Sequence, residues 1–264
     1  MPDSDAGRPR SRCHSSFGSG RREINWDGVP DALSAPNNLP ANFFNVNSPR
    51  GVVFSTLGTG FQVSANAGVA PVRFDTINPG YSAIFQTFSP QRLFAALSST
   101  ITDVSFFVPG STTPSFTSSF GAVFTDVDLA NTTGIQFFDT QNNSLGTFSA
   151  PVANNGLSFV GVLFDAGEKI GRVRITSGNA ALGAGINDLP PTTDLVVMDD
   201  FIYAEPAPAP EPSTWVLLTV VMGDAALLER HANNHQVTVT GTMAKDKGKD
   251  VLKANDLKMI AVCK

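Results

Sequence analysis

"KIGRVRITSG", residues 169–178, is the stretch that decides the fold. Val173 and Ile175 alternate with Arg172 and Arg174, a period of two that gives one face to the apolar pair and the other to the arginines. That is a strand with one buried and one wet face. Working outward, "LSFVGVLFDAG" (157–167) sets Phe159, Gly161 and Leu163 on one face and Val160, Val162 and Phe164 on the other. Both faces are apolar, so this strand is expected at the centre of a sheet. "GIQFFDTQNNSLGTF" (134–148) reads as two strands joined at Gln141-Asn142-Asn143-Ser144, where Asn tolerates left-handed backbone angles. From Glu23 to Glu205 the texture is constant: Phe, Val, Ile and Thr runs, broken at short intervals by Gly, Pro, Asn and Asp. There is no helical periodicity and no fixed repeat. The pattern predicts an all-β, antiparallel β-sandwich of jelly-roll type, with a half-open barrel as the competing closure.

The chain has 264 residues and 42% apolar content, enough for a sizeable core. Residues 23–205 carry six basic side chains against fifteen acidic ones, a formal charge of −9. Such a body repels phosphate backbones, which argues against nucleic acid and favours cations or neutral polymers. Cys13 and Cys263 stand near the two termini and make no disulfide framework. Nineteen of the twenty Phe lie in this body, against one Trp and two Tyr, which predicts a Phe-packed core. The imbalance weakens a sugar-stacking platform, for which Tyr81 is the exposed aromatic expected.

Four segments follow from composition. Residues 1–22 form a basic leader without a hydrophobic stretch, expected to be disordered; 23–205 form the sandwich. Residues 206–222 combine the stiff "PAPAPEP" linker with a short apolar run, and 223–264 hold a small β tail with strands "HQVTVTGTM" and "VLKANDLKMIAV". Trp215–Met222 as a helix would span about 12 Å against a hydrocarbon core of about 30 Å, so no stable membrane anchor is expected.

"PEPSTW" followed by Leu and Val resembles the PEP-CTERM sorting signal of Gram-negative bacteria that make exopolysaccharide, with Pro210, Glu211 and Pro212 as the motif. In that family a membrane helix and a basic tail follow, and a membrane-embedded sorting enzyme cuts there. Here Gly223-Asp224 interrupts the helix and the Arg cluster is missing, as in a fusion or a damaged reading frame. The sorting enzyme is therefore not expected to process this chain. "INWDGVPD" and "DLVVMDDFIYAEP" look like the first and last strands of secreted β-sandwich proteins that carry this signal, and the tail is similar to periplasmic OB-like β domains. The resemblance names no activity. It implies an exported protein of the bacterial cell surface or exopolysaccharide matrix, extracellular or in the envelope, with extracellular polysaccharide as a candidate partner, and the lack of His and Cys in residues 23–205 makes a non-enzymatic role the expectation. The alternatives are a carbohydrate-binding module and, further off, a carboxylate-based glycoside hydrolase.

Residues 23–205 contain no His, no Cys and a single Lys, Lys169. That excludes a Ser-His-Asp or Cys-His nucleophile and a His-ligated metal in this segment. Asp126, Asp128, Asp139, Asp199 and Asp200 remain for a glycosidic carboxylate pair, against the commoner reading of such acids as solvated or turn-forming. Calcium is the expected cofactor, if there is one, with Asp27, Asp199 and Asp200 as ligands. Period two sends Asp199 and Asp200 to opposite faces, so one of them must face inward. It then needs a metal, Arg172 or Arg174, or backbone amides. "TDVD" (125–128) is a candidate for a second oxygen site for a metal, against the commoner reading in which D-x-D places Asp126 and Asp128 together on the wet face. His231 and His235 would share a metal only on one helix, which Asn233-Asn234 and the following strand oppose.

Overall fold

The computed structural model describes residues 20–65, 73–208, 235–246 and 249–262. It divides into two units, Met1–Ala209 and Pro210–Lys264. In chain order the strands are β1 (Arg21–Ile24), β2 (Val52–Ser55), β3 (Gly60–Val63), β4 (Phe94–Leu97), β5 (Ile101–Phe106), β6 (Ser115–Phe116) and β7 (Ser119–Val127). There follow β8 (Gly134–Asp139), β9 (Ser144–Ser149), β10 (Ala153–Leu163), β11 (Ile170–Thr176), β12 (Val197–Ala204), β13 (Ala207–Pro208), β14 (His235–Asp246) and β15 (Lys249–Val262).

One sheet runs β10-β7-β12-β4-β3, with β1 also paired to β12; the other runs β2-β5-β11-β8-β9. The described strand pairs are all antiparallel. Within this order β4-β12-β7-β10 packs on β5-β11-β8-β9, the strand sequence of a jelly roll. The alternation in residues 169–178 does what it predicts: Ile170, Val173 and Ile175 are buried between the sheets and the arginines face out. β1 lies antiparallel to β12, from Arg21 opposite Ala204 to Ile24 opposite Phe201. Arg22 closes that seam with two hydrogen bonds to the Glu205 carboxylate, 2.6 and 2.8 Å.

The core is aromatic. Trp26 stacks on Phe94 at 4.0 Å between centroids and meets Phe44 and Phe201 edge-on, each pair worth about 0.5–1.5 kcal/mol beyond its buried area. Its indole N–H donates to the Asp199 carbonyl at 2.8 Å, so the ring is buried with its polar edge satisfied.

Three expectations change. β10 is an edge strand; the strand inside it is β7, held between β10 and β12 and buried from Phe120 to Val127, and β12 occupies the middle of the sheet. Residue count misleads because Phe159 does not need a covering layer: its ring lies over Gly121 and Gly161, where an added Cβ would come within 2.7 and 2.6 Å of it. The ring thus has a floor and leaves its other face to solvent. Secondly, the body extends past Glu205, because Ala207 and Pro208 pair with Phe116 and Ser115, so part of the Pro-rich stretch belongs to the sandwich. Thirdly, β1 begins at Arg21, inside the segment expected as leader.

The β8–β9 hairpin turns where expected, with Asn142 at φ 67° and the Asp139 carboxylate accepting from the amides of Gln141 and Asn143, each at 2.8 Å. In the second unit β14 pairs with β15 from His235 opposite Val262 to Asp246 opposite Lys249, joining the two expected tail strands as one hairpin. Among the described residues no helix is long and apolar enough to cross a membrane. Pro210, Glu211, Pro212, Trp215–Met222, His231, Cys13 and Cys263 lie outside the described residues.

Candidate functional site

One edge of β12 has two partners in succession: β4 at Met198, then β1 from Phe201 onward. Asp199 and Asp200 stand in the gap between them, at a register slip against β7. The slip breaks the period of two, so both acids are buried instead of one. Asp199 Oδ2 accepts from the Phe88 amide at 2.6 Å, and its Oδ1 from the Asp200 amide at 2.8 Å. The Ser89 hydroxyl reaches Asp199 at 3.3 Å and Asp200 at 3.1 Å, and the Asn25 amide lies 3.5 Å from Asp200. Asp27 faces the same loop, its carboxylate accepting from the amides of Gln91 and Arg92. The three acids expected to share calcium thus fasten residues 88–92 to the turn after β1 and to β12 by hydrogen bonds. Arg172 and Arg174 answer neither Asp199 nor Asp200: they belong to the other sheet and bind Asp103. Burial raises the pKa of Asp199 and lifts that of Asp200 to about 7, the neighbouring Asp199 charge adding to the latter.

Above this gap the outer face of the first sheet holds a groove of about 520 Å³. Phe88, Phe159, Leu157, Val123 and Ile202 supply its apolar wall; Arg21, Glu23, Ser158 and Asp200 supply polar groups. Phe88 and Phe159, 61% and 54% exposed, are the two most exposed aromatic side chains among the described residues. Tyr81, expected to be the exposed aromatic, is 1% exposed: its hydroxyl donates to the Ile186 carbonyl at 2.9 Å and accepts from the Gly183 amide at 3.0 Å. It packs at the start of a single helical turn, Tyr81–Ile84, and the turn's apolar side carries it inward.

A second group of acids lies at the end of β7. Asp126 does not face water. Its φ of 69° breaks the strand alternation opposite a register slip in β10, and the Asn155 amide there donates to Asp126 Oδ1 at 2.8 Å. Asp126 is fully buried. Among the described residues its Oδ2 and both oxygens of Asp128 are sealed from solvent and meet no N–H or hydroxyl donor; the one side chain Asp128 can share a proton with is another acid, Asp188. An oxygen from each of Asp126, Asp128 and Asp188 lies within 4.8 Å of the other two. Asp188 also accepts from the Leu195 amide at 3.0 Å, and Asp194, fully buried beside them, accepts from the Asp128 amide at 3.0 Å and from the Thr132 hydroxyl. Burial raises Asp126 to about 6 and Asp128 to about 7, with the neighbouring acids pushing further up. None of the ion pairs among the described residues reaches this group. Asp188 and Asp194 are absent from the sequence reading because they sit in the loop before β12, more than sixty residues from Asp126, and pairing of β12 with β7 alone brings them there.

No family model matches the chain, and no curated protein matches it. Among solved structures it is similar to the enzymatically active domain of tailspike protein 4 of bacteriophage CBA120, at 13% identity and a TM-score of 0.24. The match covers 69% of this chain and 22% of that one, and so loose a superposition carries no argument about function.

Proposed function

We propose that the sandwich is a non-enzymatic module of the bacterial cell exterior that holds extracellular polysaccharide in the groove over β7, β10 and β12. The observation that carries this reading is the pair Phe88 and Phe159, exposed on one groove in a molecule whose aromatic side chains are otherwise mostly packed inside. An apolar wall with a few convergent polar groups suits a sugar ring, which offers an apolar face and a rim of hydroxyls. The excess of acid over base disfavours polyphosphates. Location rests on the resemblance at Pro210, Glu211 and Pro212, which implies export.

Affinity electrophoresis of the full chain in gels containing neutral and acidic bacterial exopolysaccharides tests the reading. Retardation should appear with at least one polymer and weaken about tenfold in Phe159→Ala, since half a Phe covered by ligand contributes about 1.4 kcal/mol. Equal mobility of wild type and Phe159→Ala in every gel sinks it. One observation keeps a second reading open: Asp200, with its raised pKa, lines the same groove as Glu23, as a general acid beside a second carboxylate would. That reading requires reducing ends to be released from the bound polymer and the release to vanish in Asp200→Asn. The favoured one expects no release from either protein.

A further inference from the structure

Three acids share one small volume at the end of β7, and no positive charge among the described residues pairs with any of them. Asp126 is wholly buried with one oxygen taken by an amide and the other by nothing. Asp128 has both oxygens sealed and without an N–H or hydroxyl donor, and Asp188 brings a third carboxylate within 4.8 Å. A buried carboxylate without a partner costs several kcal/mol, and three together add mutual repulsion. A fold keeps such a group where something outside the chain completes it. The donor set is all oxygen, without nitrogen or sulfur, which selects a hard cation over zinc or copper.

We propose that Asp126, Asp128 and Asp188 bind one divalent cation, Ca2+, that ties the end of β7 to the loop before β12. Three carboxylates leave room for carbonyl and water oxygens, as the six to eight ligands of Ca2+ require, while the smaller Mg2+ demands a stricter octahedron and loses its water reluctantly. The tie has a mechanical consequence. Residues 187–195, which carry Asp188 and Asp194, are joined to the end of β7 by the Asp128 amide on Asp194, and the cation adds metal bonds through Asp188, whose own amide contact, from Leu195, stays within the loop. Through the Asn155 amide on Asp126, the cation also anchors the β10 slip that leads into Leu157 and Phe159. The site differs from the expected calcium set of Asp27, Asp199 and Asp200, which hydrogen bonds already satisfy.

The test uses the full chain, stripped with EDTA and dialysed, with CaCl2 and MgCl2 as probes in calorimetric titration and thermal melting. Ca2+ at about 100 times its Kd should raise Tm by roughly 5–10 °C, with Mg2+ giving less than half of that. Asp126→Asn and Asp188→Asn should each fold, melt no lower than wild type in EDTA, and lose most of the Ca2+ shift. Asp139→Asn, at the exposed β8–β9 turn, should keep it. The absence of a heat and of a Tm shift up to about 10 mM, beyond the weak end of extracellular calcium sites, overturns the proposal. So does a shift that survives in both cluster variants, or an equal response to Mg2+.

Discussion

Asp103 on β5 and Asp126 on β7 are both aspartates within long strands, and they live under opposite conditions. Asp103 lies on the outer face of its sheet, opposite Arg174 in register and diagonal to Arg172, and holds both guanidiniums at 2.7–2.9 Å. Arg172 is further steadied by the Phe138 ring beneath it, 3.8 Å from its centroid, and by the Asn142 amide oxygen. Asp126 pairs with no cation among the described residues and is shut away from water. A charge answered by its own strand neighbours stabilises the sheet; a charge left unanswered in the interior reports a need. Asp199 and Asp200 fall between these cases, buried and answered by neutral donors.

The intermediate case gives the largest expected effect. Asp200 faces Asp199 on its own strand, Glu23 on β1, and the Ser89 hydroxyl and Asn25 amide. Its folded pKa of about 7 stands above the unfolded value near 4, so between those two values the folded chain holds a proton that the unfolded chain has released. Stability therefore falls as pH rises from about 4 to about 7, by on the order of 3 kcal/mol, and is flat in this respect outside that window. Urea melts across pH 4–8 should show that fall in wild type and a shallower one in Asp200→Asn. Parallel curves for the two proteins would mean that the neutral donors suffice to keep Asp200 ionised.

Next in size is the answered charge. Asp103→Ala removes three charge-assisted hydrogen bonds and leaves two partly exposed arginines, a loss of about 1–2 kcal/mol after allowance for solvent screening. Denaturant melts check it, and 1 M NaCl should narrow the gap between the two proteins. In contrast, Asp126→Asn in EDTA should stabilise by about 1 kcal/mol, because it deletes a charge the chain cannot meet. Opposite signs for two aspartate substitutions in two strands of one domain are what the comparison demands. A loss at both positions would place Asp126 among ordinary structural acids.

How far these differences can be read from sequence depends on whether they are local. The alternation of Val173 and Ile175 with Arg172 and Arg174 is local, and so is the Asn-rich turn at 141–144; both read correctly. The resemblance at "INWDGVPD" and "DLVVMDDFIYAEP" implies the first and last strands of the body, and β1 does pair with β12, but past Ile24 the first of these stretches turns as a 3-10 helix at Trp26–Gly28. The errors at the aspartates share one cause, an irregularity in strand geometry. Period two fails at Asp199-Asp200 because of a register slip, and at Asp126 because of its left-handed backbone angle. The centrality assigned to residues 157–167 fails because Phe159 is seated on glycines instead of a second layer. Asp188 and Asp194 carry no local signal at all, since the order of strands in the sheet delivers them to Asp128.

The smallest stability effect is expected at Gly121, and it separates the groove from the frame that carries it. Gly121→Ala gains about 0.4–1 kcal/mol from a stiffer unfolded chain, since its φ needs no glycine. Against this, the new methyl would stand 2.7 Å from the far end of the Phe159 ring and 3.0 Å from the Gly161 Cα. The ring, already half exposed, can swing outward at modest cost, so the two terms nearly cancel and the denaturation midpoint should move little. The ring's new position is the point: a displaced Phe159 no longer forms the groove wall. Retardation by exopolysaccharide should then fall about as far as in Phe159→Ala, roughly tenfold, while the thermal melt stays within about 2 °C of wild type. Full retention of binding in Gly121→Ala would show that the ligand does not use the glycine-seated ring, and would move the contact to Phe88 and the polar groups around Asp200.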